Sequence, residues 1–233
     1  MSKQNEQGVF EANETLNKSE AFFDKYKKAI IGAVIALIVI IVAFFLYKAY
    51  VAGPREEKAS TELGKGQEYF NNEMFDKALN GDGAGYAGFV KIADDFSGTD
   101  AANLANLYAG LCYANLEKWN DAVKYLDQYS PADDSMISPA AVAALGNAYA
   151  HVNQQDKAIS NLKKAASMAD SEGNDGVNVS LSPTFLLQAG ELLENQGKKE
   201  EALKIYQDIK SKYVNSALVQ SQEIDKYIER ASI

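Results

Sequence analysis

The stretch Gly110–Ala122, which reads GLCYANLEKWNDA, decides the fold. It places a tyrosine three residues after the glycine and an alanine twelve residues after it. The same spacing returns three more times, with successive glycines 44, 36 and 44 residues apart. A repeat of this length predicts stacked helix-turn-helix units, because one helix pair alone cannot bury its apolar face. The other copies are Gly66-Tyr69-Ala78, Gly146-Tyr149-Ala158 and Gly190-Leu193-Ala202.

The repeats predict an all-α solenoid of four degenerate helix pairs within residues 51–233. Ser138-Pro139 and Ser182-Pro183 stand at matching offsets, each proline seven residues before a repeat glycine. Serine at the N-cap and proline in the first turn are typical of a helix start, so both pairs predict the beginning of a first helix. We expect units near 55–97, 100–132, 138–170 and 182–215, followed by a capping helix over 216–233.

The first unit departs from this regular pattern. Asn80–Gly85, which reads NGDGAG, is a turn signal rather than a helix interior, and an apolar stripe resumes at Tyr86. We therefore expect the second helix of this unit to be interrupted. Gly53-Pro54 predicts that the preceding helix ends there, because proline disfavours helical geometry in the residue before it.

A single apolar segment precedes the repeats. Residues 29–47 read AIIGAVIALIVIIVAFFLY, 19 residues without a charge. A helix of this length covers roughly 28 Å, which matches the hydrocarbon thickness of a bilayer. We predict a transmembrane helix over 29–50, preceded by a partly amphipathic segment over 1–28. The apolar stretch is longer than the core of a signal peptide, and Tyr50 does not suit a cleavage site, so an uncleaved anchor is expected.

The lysines around this segment give a weak orientation signal. Four basic residues lie on each side of the span within about twenty residues. Only the tight cluster Lys25-Lys27-Lys28 favours a cytoplasmic N-terminus, because basic residues concentrate on the cytoplasmic side. This orientation would place the repeats across an inner membrane, in the periplasm.

The net charge of the chain limits the class of partner that it is expected to bind. The chain has a net charge of −9, and residues after 52 hold 17 basic and 27 acidic residues, a balance of −10. A domain of this sign repels phosphate backbones, so we expect no nucleic acid partner. The same charge is typical either of a preference for basic or apolar segments or simply of a soluble surface.

The sequence does not contain a recognisable catalytic, cofactor-binding or metal-binding set. His151 and Cys112 are the only histidine and the only cysteine, so no internal disulfide can form. A nucleophile and base would also need an orienting group and an oxyanion donor, and neither is evident. We expect a non-enzymatic protein without a cofactor, a metal or a small-molecule substrate. An envelope enzyme that uses His151 is the alternative.

The repeated glycine, tyrosine and alanine positions resemble the tetratricopeptide repeat over residues 55–215. Trp119 and Phe75 stand where that motif often has an aromatic or apolar residue. The match is degenerate, because the usual tryptophan and the usual closing proline are absent. Glu62, Asn106, Val142 and Leu186 replace the tryptophan, and Asp134, Asp170 and Val214 replace the proline in the last three units.

The layout of one anchor and a degenerate repeat domain resembles a narrower group. It is similar to the membrane-anchored tetratricopeptide-like ancillary subunits of the Sec translocon in Gram-negative bacteria, in a Bacteroidetes-like variant. The segments SEAFFDKYKK, GDGAGYAGFVKIADDFSGTDAANLA and IDKYIERA carry this resemblance. It implies a protein-binding adaptor whose partners are translocon subunits, a membrane-tethered chaperone or exported polypeptides. The alternative is a structural subunit of another envelope complex, with the transmembrane helix making the main contacts.

The resemblance also implies a groove whose inner wall comes from the first helix of each unit. Side-chain amides at repeated positions suit an extended peptide backbone, because they both donate and accept hydrogen bonds. The alternative is that the asparagines merely end these helices, since asparagine tolerates C-terminal capping geometry. The predicted groove residues are Phe70, Asn71, Leu107, Leu111, Asn115, Asn147, His151, Leu187, Glu191 and Asn195.

Overall fold

The computed structural model describes the backbone of residues 3–233 and the side chains of residues 25–173 and 175–233. The predicted amphipathic segment before Lys25 lies outside the described side chains. The described backbone contains helices and turns but no strand, which confirms the all-α class. The helices are α1 (Lys3–Tyr47), α2 (Gly53–Asn71), α3 (Phe75–Asn80), α4 (Phe89–Asp95), α5 (Asp100–Asn115), α6 (Trp119–Leu126), α7 (Ile137–His151), α8 (Gln155–Ser171), α9 (Ser182–Asn195), α10 (Lys199–Lys212), α11 (Ala217–Gln220) and α12 (Glu223–Ser232).

The chain divides into two compact units, residues 1–54 and 55–233. In the first, the helical stretch from Lys25 onward is long and apolar enough to cross a membrane, by length and composition, and its most apolar window is not buried. The predicted helix end at Gly53-Pro54 is wrong, because Gly53 keeps helical angles (φ −59°, ψ −56°). A π-helical turn at Lys48–Ala52 shifts the hydrogen-bond register just before Pro54, which has no N–H to donate. The predicted bounds 1–28, 29–50 and 51–233 stay predictions.

The second unit contains the four helix pairs. The pairs α5/α6, α7/α8 and α9/α10 follow the predicted pattern, and in the first pair α2 packs with both α3 and α4. The predicted interruption is present between α3 and α4. Gly81 and Gly88 have φ values of 92° and 94° there, and Asp82 accepts hydrogen bonds from the N–H groups of Ala84 (2.8 Å) and Tyr86 (2.9 Å).

The repeat glycines lie where the two helices of a pair touch. A Cβ added to Gly110 would lie 2.5 Å from Leu126 Cγ, one on Gly190 would overlap the ring of Tyr206 in α10, and one on Gly66 would overlap the ring of Phe89 in α4. At Gly146 the nearest atoms would be 3.1 Å away, so this pair packs less tightly. The small residues therefore set the close approach of each pair. The alanines twelve residues later are fully buried as well: Ala78, Ala122, Ala158 and Ala202.

Each first helix ends in the same turn. The residue seven positions after each repeat glycine has a positive φ, between 58° and 76°. The next N–H then donates a 2.9 Å hydrogen bond to the carbonyl five residues earlier in all four units, as in a Schellman motif. Only the last unit has glycine at this left-handed position. The four residues are Glu73, Glu117, Asn153 and Gly197.

The predicted serine N-caps are wrong. The N-caps of α7 and α9 are Met136 and Leu181, and neither Ser138 nor Ser182 caps its helix. Asp134 performs the capping at α7, where its Oδ1 accepts hydrogen bonds from the N–H groups of Met136 (2.9 Å) and Ile137 (2.5 Å). A carboxylate can accept several amide bonds at once, so it satisfies the helix start better than one hydroxyl.

The two serines instead join successive units. Ser138 Oγ accepts a hydrogen bond from the N–H of Ala132 (2.8 Å) and lies 3.0 Å from the hydroxyl of Tyr129, and Ser138 is fully buried. Ser182 Oγ lies 2.9 Å from the carbonyl oxygen of Ala166 on the preceding helix α8. Both serines therefore fix a first helix to the end of the unit before it.

Asp170 completes the joint between the last two units. Its Oδ1 accepts hydrogen bonds from Ser182 Oγ (2.6 Å) and the N–H of Asn178 (2.9 Å), and its Oδ2 from Lys212 Nζ (2.5 Å) and Tyr213 OH (2.7 Å). Burial alone would raise the pKa of Asp170, but these donors outweigh it and hold the pKa below its ordinary value.

The C-terminal cap consists of two helices rather than one. Gln222, between α11 and α12, adopts a left-handed conformation with φ 60°. Ile224 and Ala231 of α12 are buried and belong to the same core cluster as α10. The cap thereby covers the last helix pair, as a solenoid end requires.

Candidate functional site

A cleft of about 960 Å³ opens on the repeat domain where the third unit, the fourth unit and the cap meet, with Trp119 of the second unit at one side. It is bordered by the start of α6, the end of α7, one face of α9, the start of α10 and the last turns of α12. Its walls combine aromatic, amide and charged side chains with apolar ones. The lining residues are Trp119, Asn147, Ala150, His151, Gln188, Glu191, Leu192, Glu194, Asn195, Lys199 and Arg230.

Trp119 and His151 form a flat aromatic platform at one side of the cleft. Their ring centroids are 3.6 Å apart and the ring planes differ by 2°. Trp119 begins α6 and His151 ends α7, so the stack bridges the second and third units. The outer face of this stack is a flat π surface, which suits a planar or cationic group of a bound chain.

The opposite end of the cleft is held by an ion pair between α9 and the cap. Arg230 donates from Nε to Glu194 Oε1 (3.1 Å) and from a terminal guanidinium nitrogen to Oε2, which also accepts from Tyr206 OH (2.7 Å). The hydrogen bond from Arg230 is the main reason that the pKa of Glu194 lies below its usual value. Because Glu194 and Arg230 satisfy each other, this pair forms a wall rather than a free binding group.

Other polar groups in the cleft have no partner within the described part of the chain. The Oε1 atom of Gln188 is buried and accepts no hydrogen bond. Glu191 lies one helical turn further along α9, so the two side chains share a face, and Glu191 is only half buried. Unmade hydrogen bonds at a half-buried floor are costly, and a ligand that donates would satisfy them.

Four of the ten predicted groove residues line this cleft: Asn147, His151, Glu191 and Asn195. They come from α7 and α9, the first helices of the third and fourth units. The cleft therefore occupies only the C-terminal half of the predicted groove.

The other six predicted residues lie elsewhere. Leu107 is 6% exposed in a core cluster, which Leu111 also contacts, and Leu187 packs against the last core cluster. Phe70 packs edge-on against the ring of Tyr108.

Two predicted asparagines are exposed outside the cleft. Asn115 donates from Nδ2 to the carbonyl of Leu111 (2.9 Å), so it ends its own helix. Asn71 is exposed near the end of α2. Their binding roles stay predictions.

Seven of the eleven cleft residues are not among the predicted groove residues. In the sequence Trp119, the single tryptophan of the chain, stands at a position of the repeat motif and carries no other signal of a binding role. Ala150, Gln188, Leu192 and Glu194 share α7 or α9 with predicted groove positions, so helical periodicity carried a signal for them. Lys199 and Arg230 come from elements that only the folded chain brings to the cleft.

Comparison with protein families supports this architecture. The family model for the tetratricopeptide repeat matches residues 104–130 and 185–216. The two matched segments are similar to the tetratricopeptide repeat. The matches cover α5/α6 and α9/α10, the second and fourth helix pairs, and this repeat is a fold that binds proteins rather than a catalytic one. A comparison with curated proteins gave no match.

The described residues offer little for catalysis. Burial raises the pKa of the Cys112 thiol to about 12, and the side chain is fully enclosed, so a reactive thiolate does not form near neutral pH. No group of three His, Cys, Asp or Glu side chains in the described part of the chain is arranged to hold a metal ion.

Proposed function

We propose that this chain is a non-enzymatic, membrane-anchored adaptor that binds a polypeptide segment in the cleft between its third and fourth repeats. The single observation that carries this proposal is the cleft itself, with its aromatic platform and its unpaired amide and carboxylate groups. Such groups match the alternating donors and acceptors of an extended backbone, and the cleft has the volume of a specific ligand site.

The anchor and the repeats together suggest where the adaptor works. We propose that it is an ancillary component of the Sec translocon, acting beside periplasmic chaperones on exported proteins. The resemblance of the layout and of the quoted segments to that group supports this assignment. The N-terminus would be cytoplasmic and the repeats periplasmic, with the basic cluster at Lys25-Lys27-Lys28 on the cytoplasmic side.

A protease-protection experiment tests the topology. Inverted inner-membrane vesicles should shield residues 55–233 from added protease, whereas spheroplasts should leave them open to digestion. A fragment of the repeat domain that survives only in inverted vesicles supports the proposed orientation, and the reverse pattern contradicts it.

Site-specific crosslinking in cells tests the cleft. A photoreactive residue at Asn195 lies in the cleft, and the same residue at Asn71 occupies the equivalent repeat position outside it. We expect protein adducts from Asn195 and far fewer from Asn71, identified after purification in detergent. Equal labelling at both positions, or labelling of lipid alone at Asn195, would contradict binding in the cleft.

The second candidate function is a structural subunit that holds its complex through the membrane helix. The exposed apolar surface of residues 29–50 favours it, because a partner helix could pack there. Deleting residues 55–233 separates the two candidates. Loss of partner co-purification supports the adaptor, and full retention supports the structural subunit.

A further inference from the structure

We infer that the cleft takes an arginine side chain of the bound polypeptide. This inference rests on the proposed function and names the chemistry of the partner segment. Its starting point is the floor of the cleft, where Gln188 Oε1 is buried without a donor and Glu191 has no ion pair within the described chain. Both groups are hydrogen-bond acceptors, so a ligand group that satisfies them must be a hydrogen-bond donor.

The charges around the cleft favour a cationic ligand group over an anionic one. Arg230 is already paired with Glu194, and Lys199 is exposed at the rim. Glu191 is half buried and unpaired, so its charge is less screened than that of an exposed group. The repeat domain as a whole carries a balance of −10, which attracts basic segments over a longer range.

The aromatic platform selects arginine among the basic side chains. A guanidinium is planar, and it can stack on the outer face of the Trp119–His151 pair while its N–H groups point away along its plane. Lysine carries one compact ammonium, so it makes the ring contact and the hydrogen bonds at the same time less effectively than arginine does. Leu192 and Ala150 offer an apolar surface to an aliphatic residue next to the arginine.

Fluorescence of the full-length protein in detergent micelles provides the test, because Trp119 is the only tryptophan of the chain. The probes are three short peptides with the same sequence around a central Leu-X-Ala, where X is arginine, lysine or the neutral isostere citrulline. We expect the arginine peptide to change the emission saturably. Lysine should weaken binding about threefold to tenfold and citrulline at least about tenfold.

Two variants and a control locate the effect. Glu191→Gln and Gln188→Leu should each weaken binding of the arginine peptide by at least about fivefold. Glu172→Gln makes the same charge change on an exposed residue outside the cleft and should leave the affinity unchanged.

The outcomes separate this inference from the proposed function. Saturable binding that is equal for all three peptides overturns the arginine inference and leaves a peptide-binding cleft. Absence of any emission change overturns the arginine inference too, and the Asn195 crosslinks then decide whether the cleft binds protein at all.

Discussion

Ser182 Oγ lies 2.6 Å from Asp170 Oδ1, in the joint between the third and fourth repeats. Asp170 stands where the tetratricopeptide motif usually closes with proline, and it is only 8% exposed. The joint therefore depends on a buried charge that accepts four hydrogen bonds instead of on a rigid ring. Because Asp170 stands in place of proline, the association of the last two repeats is sensitive to the ionisation of this one side chain.

Asp170→Asn should lower the free energy of unfolding by about 2–4 kcal/mol, because Lys212 would lose its charged partner and two hydroxyls their strongest acceptor. The pKa of Asp170 is lower in the folded chain, so its contribution is present above the ordinary carboxyl pKa and is lost as pH falls through the folded value. Thermal unfolding in detergent between pH 7 and pH 2 measures both effects. Asp156→Asn, at an exposed carboxylate, is the matched control. An equal loss of stability in the two variants would contradict the role of Asp170 in the joint.

The loss of stability caused by a glycine-to-alanine substitution should be larger where a repeat glycine has less space for a Cβ atom. Gly110→Ala should cost about 1–3 kcal/mol, because the new methyl group would press on Leu126 and force the helices apart. Gly146→Ala should be nearly neutral, since the 3.1 Å contacts yield with small shifts and alanine favours the helix by about 1 kcal/mol. Urea unfolding followed by circular dichroism compares the two. A loss at Gly146 as large as that at Gly110 would contradict the packing described.

The sequence predicts the helix pairs, the interrupted helix and the apolar helix because each depends on residue spacing or composition within a short segment. The spacing of Gly110 and Ala122 recurs and marks each helix crossing, and the glycine-rich turn after Asn80 marks the interrupted helix. The charge-free stretch marks the apolar helix by length alone. These signals need no knowledge of how the units pack.

The capping and the cleft could not be predicted in the same way. Ser138 looks like an N-cap by type and position, but packing between units buries it and leaves the capping to Asp134. Asn195 and Asn71 share one repeat position, yet only Asn195 lines the cleft, because Arg230 of the cap closes the wall beside it. Contacts across the boundary between two units decide the capping, and the contact of Arg230 with Glu194, 36 residues away in the chain, decides the cleft.

The left-handed turn residues offer a stabilising substitution. Glu117 has a φ of 58°, which costs a residue with a Cβ about 1–2 kcal/mol relative to a favoured conformation. Glu117→Gly should therefore raise the free energy of unfolding by about 0.5–1 kcal/mol, after the greater freedom of glycine in the unfolded chain is counted. Gly197→Ala reverses the change in the fourth repeat and should destabilise by a similar amount. Matched urea titrations test the pair, and a destabilised Glu117→Gly would show that the glutamate side chain contributes more than its backbone strain costs.

Cys112 should be nearly inert to thiol reagents in the folded protein. The side chain is fully buried and its pKa is raised to about 12, so both access and thiolate formation oppose reaction. We expect maleimide labelling at pH 7.5 to be at least about a hundredfold slower than at an exposed cysteine introduced by Ser160→Cys, and to become fast in urea. The rates are followed by the mass increase of the full-length chain. Cys112 is the only cysteine, so if it does not react, cysteines introduced elsewhere can report the membrane topology without removing it first. Rapid labelling of the wild-type chain under native conditions would mean that α5 separates from its neighbours far more often than its buried core contacts allow.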